Sequence, residues 1–125
     1  MYRILLADDE GIMLESLKKI IETEYGNECE IHTAKTGRVV VEEAEKYPPD
    51  ICFMDIQMPV MDGYDAAARI RRMKDEKKAS IPIVAMTANA FAEDRQKAIS
   101  TGMNDHVAKP IDMNVLLPVI AKYIR

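Results

Sequence analysis

Three short apolar runs in this chain break off abruptly at an acid or a hydroxyl. Tyr2 to Ala7 stops at Asp8-Asp9-Glu10, Ile51 to Met54 stops at Asp55, and Ile81 to Met86 stops at Thr87. A weaker run, His106 to Ala108, stops at Lys109-Pro110. Successive apolar residues such as Ile4-Leu5-Leu6 and Ile83-Val84-Ala85 suit a strand covered on both faces, which is the situation of a parallel sheet. A parallel sheet needs crossover connections, and those are normally helices.

The intervening segments supply them. Met13, Leu14, Leu17, Ile20 and Ile21 fall at helical spacing and Gly26 follows as a stop. Cys29 to Ala34 reads as a further strand. Val40, Val41 and Ala44 mark a second helix, closed by Pro48-Pro49. Tyr64 to Met73 reads as a helix with basic residues outside. Phe91 to Ser100 reads as another, with Gly102 as its cap, and Met113, Leu116, Leu117, Ile120 and Ile124 form the stripe of the last. Five strand–helix units, with no repeat or internal linker, predict one doubly wound α/β domain over residues 1–125, a five-stranded parallel sheet flanked by five helices.

Composition narrows the function. The 125 residues are 48% hydrophobic, enough for a core. A net charge of −4 argues against direct nucleic-acid binding. No apolar run is long enough to insert in a membrane, and none reads as a signal peptide, so a cytoplasmic protein is expected. Cys29 and Cys52 sit in apolar runs and read as reduced core thiols. Two histidines, His32 and His106, exclude a His-rich metal site.

Ligands of open α/β sheets sit at the carboxyl ends of the strands. There this chain gathers Asp8, Asp9, Glu10, Asp55, Thr87 and Lys109. One such residue alone would be read as a helix cap; four strand ends with complementary groups point to chemistry. Clustered carboxylates raise one another's pKa unless a cation joins them. A small hard cation such as Mg²⁺ takes oxygen ligands. A carboxylate can act as a nucleophile and form an aspartyl phosphate, and a transferring phosphoryl group needs positive charge and donors such as Lys109 and Thr87.

These residues resemble the response-regulator receiver domains of two-component signalling. The resemblance rests on Leu6-Ala7-Asp8-Asp9-Glu10, Met54-Asp55-Ile56-Gln57-Met58-Pro59-Val60-Met61-Asp62-Gly63, Met86-Thr87-Ala88 and Lys109-Pro110, in the family's order along the whole chain. It implies a flavodoxin-like sheet of order 2-1-3-4-5. It implies that Asp55 accepts a phosphoryl group from a phosphohistidine on a sensor histidine kinase or phosphotransfer protein. It implies Mg²⁺ held by Asp8, Asp9, Asp55 and the backbone carbonyl of Gln57, with Asp8 acting through water. Thr87 would bind a phosphoryl oxygen, Lys109 would pair with Asp55 or its phosphate, and the Lys109–Pro110 bond would be cis. Pro59 and Gly63 would shape a loop. Gln57 and Asn89 stand where the family tunes phosphate lifetime. His106 stands where the family often carries an inward-turning Tyr or Phe, and a surface-facing strand residue is the alternative. Phe91 reads as a packing or partner-facing residue.

The resemblance also implies an output domain or target engaged through the fourth helix, fifth strand and last helix. Such a domain catalyses only its own phosphorylation and dephosphorylation, so it is not an enzyme in the usual sense. The front half resembles regulators that precede a DNA-binding output, and the back half resembles receivers of hybrid sensor kinases. The rival from another class is a haloacid-dehalogenase-like aspartyl-phosphate phosphatase. That chemistry needs a second acid two residues beyond the nucleophile, and this chain carries Gln57 there. A flavin site is opposed by the acids after the first strand, and a P-loop is absent.

Overall fold

Alternate residues along each apolar run serve opposite faces of one sheet. The computed structural model describes residues 1–88 and 92–124, and the side chains of these except 92–94. Asn89 and Phe91 therefore lie outside the described residues. The strands are β1 (Tyr2–Ala7), β2 (Cys29–Ala34), β3 (Ile51–Asp55), β4 (Ile83–Thr87) and β5 (Asp105–Ala108). They pair in the order β2-β1-β3-β4-β5, and every pair is parallel. The expected sheet and strand order are thus the observed ones. The fourth strand starts at Ile83, two residues later than the apolar run, because Pro82 has no N–H for a ladder.

The helices are α1 (Gly11–Tyr25), α2 (Gly37–Lys46), α3 (Gly63–Arg71), α4 (Glu76–Ala79), α5 (Ala92–Ser100) and α6 (Met113–Tyr123). Leu5, Cys52, Met54, Ile83 and Ala85 face Val40 and Ala44 of α2, Ala66, Ala67 and Ile70 of α3, and Ala98 of α5. Ile4, Leu6, Phe53, Val84, Met86 and Val107 face Leu14, Leu17 and Ile21 of α1 and Leu116 and Ile120 of α6. One sheet therefore separates two cores; β1 to β4 contribute to both, and β5 adds Val107 to the second. Both cysteines are buried and free, as expected, and burial pushes the Cys52 thiol up to about 12. No helix among the described residues is long and apolar enough to cross a membrane.

Helix starts follow local chemistry. The side chains of Thr36, Asp62 and Asp112 accept from Val39, Asp65 and Asn114 backbone N–H groups and cap α2, α3 and α6. The short α4 was not expected. It buries no residue, so no apolar period announces it, and its only sequence signal is the cap Asp75, which accepts from Lys77 and Lys78. Met113 was placed on the apolar stripe of α6, yet it stays half-exposed in the first turn, and the buried stripe starts at Leu116.

Arg71, at the end of α3, closes the far side of the fold. Its guanidinium donates to the carbonyls of Gly102 and Ala79 and to Asn104 Oδ1, each at 2.8 Å. Asn104 in turn exchanges bonds with the backbone of Ile83. One side chain thus ties α3, α4, the loop before β5 and the start of β4. Removing it leaves three acceptors without their charged donor. Arg71→Ala is expected to cost about 2 kcal/mol or more of stability, read as a lower urea midpoint at unchanged m-value. A loss within experimental error would show that water replaces the guanidinium freely.

Candidate functional site

Burying a polar side chain requires a reason, because an uncompensated one costs free energy. Among the described residues the buried polar or charged side chains are Asp8, Asp55 and Thr87, at 0%, 5% and 4% exposure. All three stand at the carboxyl end of the sheet, at the ends of β1, β3 and β4. These strands lie side by side, and Ala7 registers with Met54 and Asp55 with Met86. The strand order therefore concentrates in one place residues that are far apart in sequence.

Lys109 completes the group. Its ammonium donates to Asp8 Oδ2 at 2.8 Å and to Asp55 Oδ2 at 3.0 Å. Its backbone N–H donates to the Thr87 carbonyl at 2.8 Å, which fastens the end of β5 to the end of β4. The Lys109–Pro110 bond is cis, as the sequence resemblance implied. The remaining carboxylate oxygens are held by backbone: Asp8 Oδ1 accepts from Glu10 N–H at 2.9 Å, and Asp55 Oδ1 accepts from Gln57 N–H at 3.0 Å. Both carboxylates are thereby fixed in orientation.

The charges do not balance. One ammonium faces two buried carboxylates, and Asp9 and Glu10 stand exposed at the rim. Burial raises the Asp55 pKa above the ordinary carboxylate range, the charge of Asp8 adds to this, and the Gln57 N–H and Lys109 oppose it. Burial works to lower the Lys109 pKa, but the two carboxylates outweigh it and leave it raised. Carboxylate oxygens of Asp8, Asp9 and Glu10 lie within 4.8 Å of one another. An excess of negative charge carried by hard oxygen donors fits a hard divalent cation.

The other expected residues are placed less tightly. Asp9 is exposed, and Gln57 is exposed with its N–H on Asp55. His106 sits in β5 opposite Ala85, half-buried, with Nδ1 at 4.0 Å from Asp105 Oδ1. Its ring is neither inside the site nor fully in solvent. Gly63 has a role that sequence reading gave only as loop shaping. A Cβ there would lie 2.6 Å from the Asp55 carbonyl oxygen and 2.8 Å from Ile56 Cα, so the first turn of α3 sits directly on the backbone of Asp55. Val60, at the tip of the same loop, is fully exposed and has φ 67°, a strained value for a β-branched residue.

Comparison with known proteins gives a consistent picture. A family model for the response regulator receiver domain matches residues 4–121. A hybrid signal transduction histidine kinase of Dictyostelium discoideum is 36% identical over 97% of this chain, which spans only 7% of that protein's length. The receiver domain of a Pseudomonas aeruginosa sensor histidine kinase, solved with a magnesium ion in its active-site cleft, is 30% identical with a TM-score of 0.87, covering 98% of this chain and 97% of that one. The receiver domain of a Saccharomyces cerevisiae response regulator, solved in complex with a histidine phosphotransfer protein, is 27% identical with a TM-score of 0.86, over 98% of this chain and 88% of that one.

The pKa of Asp55 makes a prediction about stability. A carboxyl whose folded pKa is raised contributes stability that is full below its unfolded value and lost as pH rises through the folded value. Asp55→Asn removes that loss and keeps an oxygen for Lys109. Without divalent metal, the variant is expected to gain thermal stability relative to wild type as pH rises from about 4 to 7. Parallel melting curves over that range would show that Asp55 ionises without penalty.

Proposed function

Because the chain belongs to the response regulator receiver domain family, we propose that Asp55 is its phosphoacceptor, taking a phosphoryl group from a phosphohistidine donor. The observation that carries this reading is the buried Asp8–Lys109–Asp55 group, in which a carboxylate at a strand end is held by one ammonium and one backbone N–H. An Asp55 oxygen attacks phosphorus, the P–N bond to the donor imidazole breaks, and the imidazole leaves with the electron pair of that bond. The product is an aspartyl phosphate. Lys109, already bonded to the carboxylate, stays close enough to meet the added charge, and the Thr87 hydroxyl is the donor at the end of the next strand.

The metal that fits the donor set is Mg²⁺, held by Asp8, Asp9, Asp55 and the backbone carbonyl of Gln57. It would supply the positive charge that the phosphoryl oxygens need in transfer. Asp8 is bonded to both Lys109 and the Glu10 N–H, which suits a contact through water rather than a direct one. The site is used once per phosphorylation, so the domain acts as a signalling element and not as a turnover enzyme. Its residues 1–125 form the receiver, and it works in the cytoplasm. Its donor is a sensor kinase or phosphotransfer protein, and its response passes through α5, β5 and α6 to an output. His106 would be the switch residue of that response, and Gln57 and Asn89 would tune phosphate lifetime. The chain's likeness is to a hybrid histidine kinase and to two receiver domains, and none of these supports the phosphatase reading.

The test is to incubate wild type and Asp55→Asn with a small phosphodonor, with and without Mg²⁺, and to weigh the intact proteins. Wild type is expected to gain one phosphoryl group only when Mg²⁺ is present, and the variant none. Equal gain in both proteins would remove Asp55 from the mechanism, and equal gain with and without metal would remove Mg²⁺.

A further inference from the structure

Gly37 is the first residue of α2, after the cap Thr36, and it is buried. Its φ lies outside the left-handed region, so its backbone is open to any L-residue. Alanine is the better helix former by about 1 kcal/mol. Local propensity alone would therefore favour alanine here. What opposes it is a neighbour: a Cβ at Gly37 would overlap the Met61 carbonyl oxygen and lie 2.9 Å from Met61 Cγ and 3.0 Å from Met61 Cβ. A backbone oxygen cannot rotate aside as a flexible side chain can.

Met61 belongs to the loop between β3 and α3, which carries Gln57. Within it, Met61 N–H donates to the Pro59 carbonyl at 2.8 Å, and Gly63 N–H donates to the Ile56 carbonyl at 3.2 Å. At its far end Gly63 rests against the Asp55 backbone without room for a Cβ. The loop is thus wedged between two glycines, one on α2 and one on α3. Val60 sits between them at φ 67°. A strained residue persists only where its surroundings fix it, and the contact of Gly37 with Met61 is such a constraint. If Met61 is pushed away from α2, Gly63 blocks retreat toward Asp55, and the displacement falls on Gln57 to Val60. Gln57 holds Asp55 Oδ1 at 3.0 Å.

We infer that Gly37 is a positioning residue for the site, acting through Met61 to set where Gln57 holds Asp55 and presents its carbonyl. The functional part of this inference rests on the reading of Asp55 and Gln57 given above. The contact itself does not.

The test compares Gly37→Ala with wild type and with Val40→Ala, a core truncation on the same helix. Three quantities are read: the amide shift of Gln57 in metal-free protein, the Mg²⁺ concentration that half-saturates the shifts, and the phosphorylation rate with a small phosphodonor. Gly37→Ala is expected to move the Gln57 amide and to weaken Mg²⁺ binding and slow phosphorylation by about tenfold to a hundredfold, since a small misplacement of a reacting group has effects of that size. Val40→Ala is expected to lower the melting temperature while leaving all three readings near wild type. Adding Met61→Ala to Gly37→Ala removes the Cγ contact and is expected to recover part of the loss.

Wild-type readings in Gly37→Ala, or losses as large in Val40→Ala, would overturn the inference. If Gly37→Ala does not fold, Met61→Ala alone decides: loosening the seat should move the Gln57 amide, and an unmoved amide overturns the inference. A wild type that takes no phosphoryl group at Asp55 would defeat the proposed function, while the Gln57 shift would still judge the role of Gly37.

Discussion

The site depends on one ammonium. Lys109 lies 2.8 Å from Asp8 and 3.0 Å from Asp55, so it joins the ends of β1, β3 and β5, and its own N–H joins β5 to β4. Without it, two nearly inaccessible carboxylates would share a low-dielectric setting, relieved among the described contacts by the Glu10 and Gln57 N–H groups. With it, the site still carries excess negative charge. In the proposed function that residual imbalance makes the site responsive: a divalent cation would relieve it, and a phosphoryl group would redistribute it. A fully neutralised cluster would be more stable and would have less reason to change when a ligand arrives.

The two-sided core explains how such a cluster is held still. One face of the sheet is packed by α1 and α6 and the other by α2, α3 and α5. The strand ends therefore cannot tilt to separate their charges. The loops are held separately. Gly63 seats α3 on the backbone of Asp55, Gly37 seats α2 on Met61, and Arg71 fastens the opposite end of α3 to the loop before β5. Helix α3 is consequently anchored at both termini, and one of those anchors is the residue chain that carries the proposed phosphoacceptor.

Much of this was legible in the sequence because it depends on local period and on where a run stops. Ile4-Leu5-Leu6 announces a strand buried on both faces, and Asp8, Asp55, Thr87 and Lys109 mark strand ends whatever the details of packing. The sheet order came from resemblance, since nothing in the runs themselves says that β1 lies between β2 and β3. The features that escaped are contacts between distant segments. Arg71 reads as one more outward base in Arg69-Ile70-Arg71-Arg72, yet its guanidinium is drawn inward by three acceptors. Nothing in the sequence singles out Gly37, and only the approach of Met61 shows why it lacks a side chain. Helix α4 buries nothing and so leaves no period to detect.

The central claim is that the phosphoryl group is carried by the side chain of Asp55. Borohydride reduces an acyl phosphate to an alcohol, which converts a phosphorylated aspartate to homoserine and fixes its position against hydrolysis. Protein phosphorylated in Mg²⁺, reduced and digested should yield homoserine at position 55, and Asp8 and Asp9 should be recovered unchanged. Homoserine at position 8 or 9, or phosphorylated protein with an unmodified Asp55, would contradict the account.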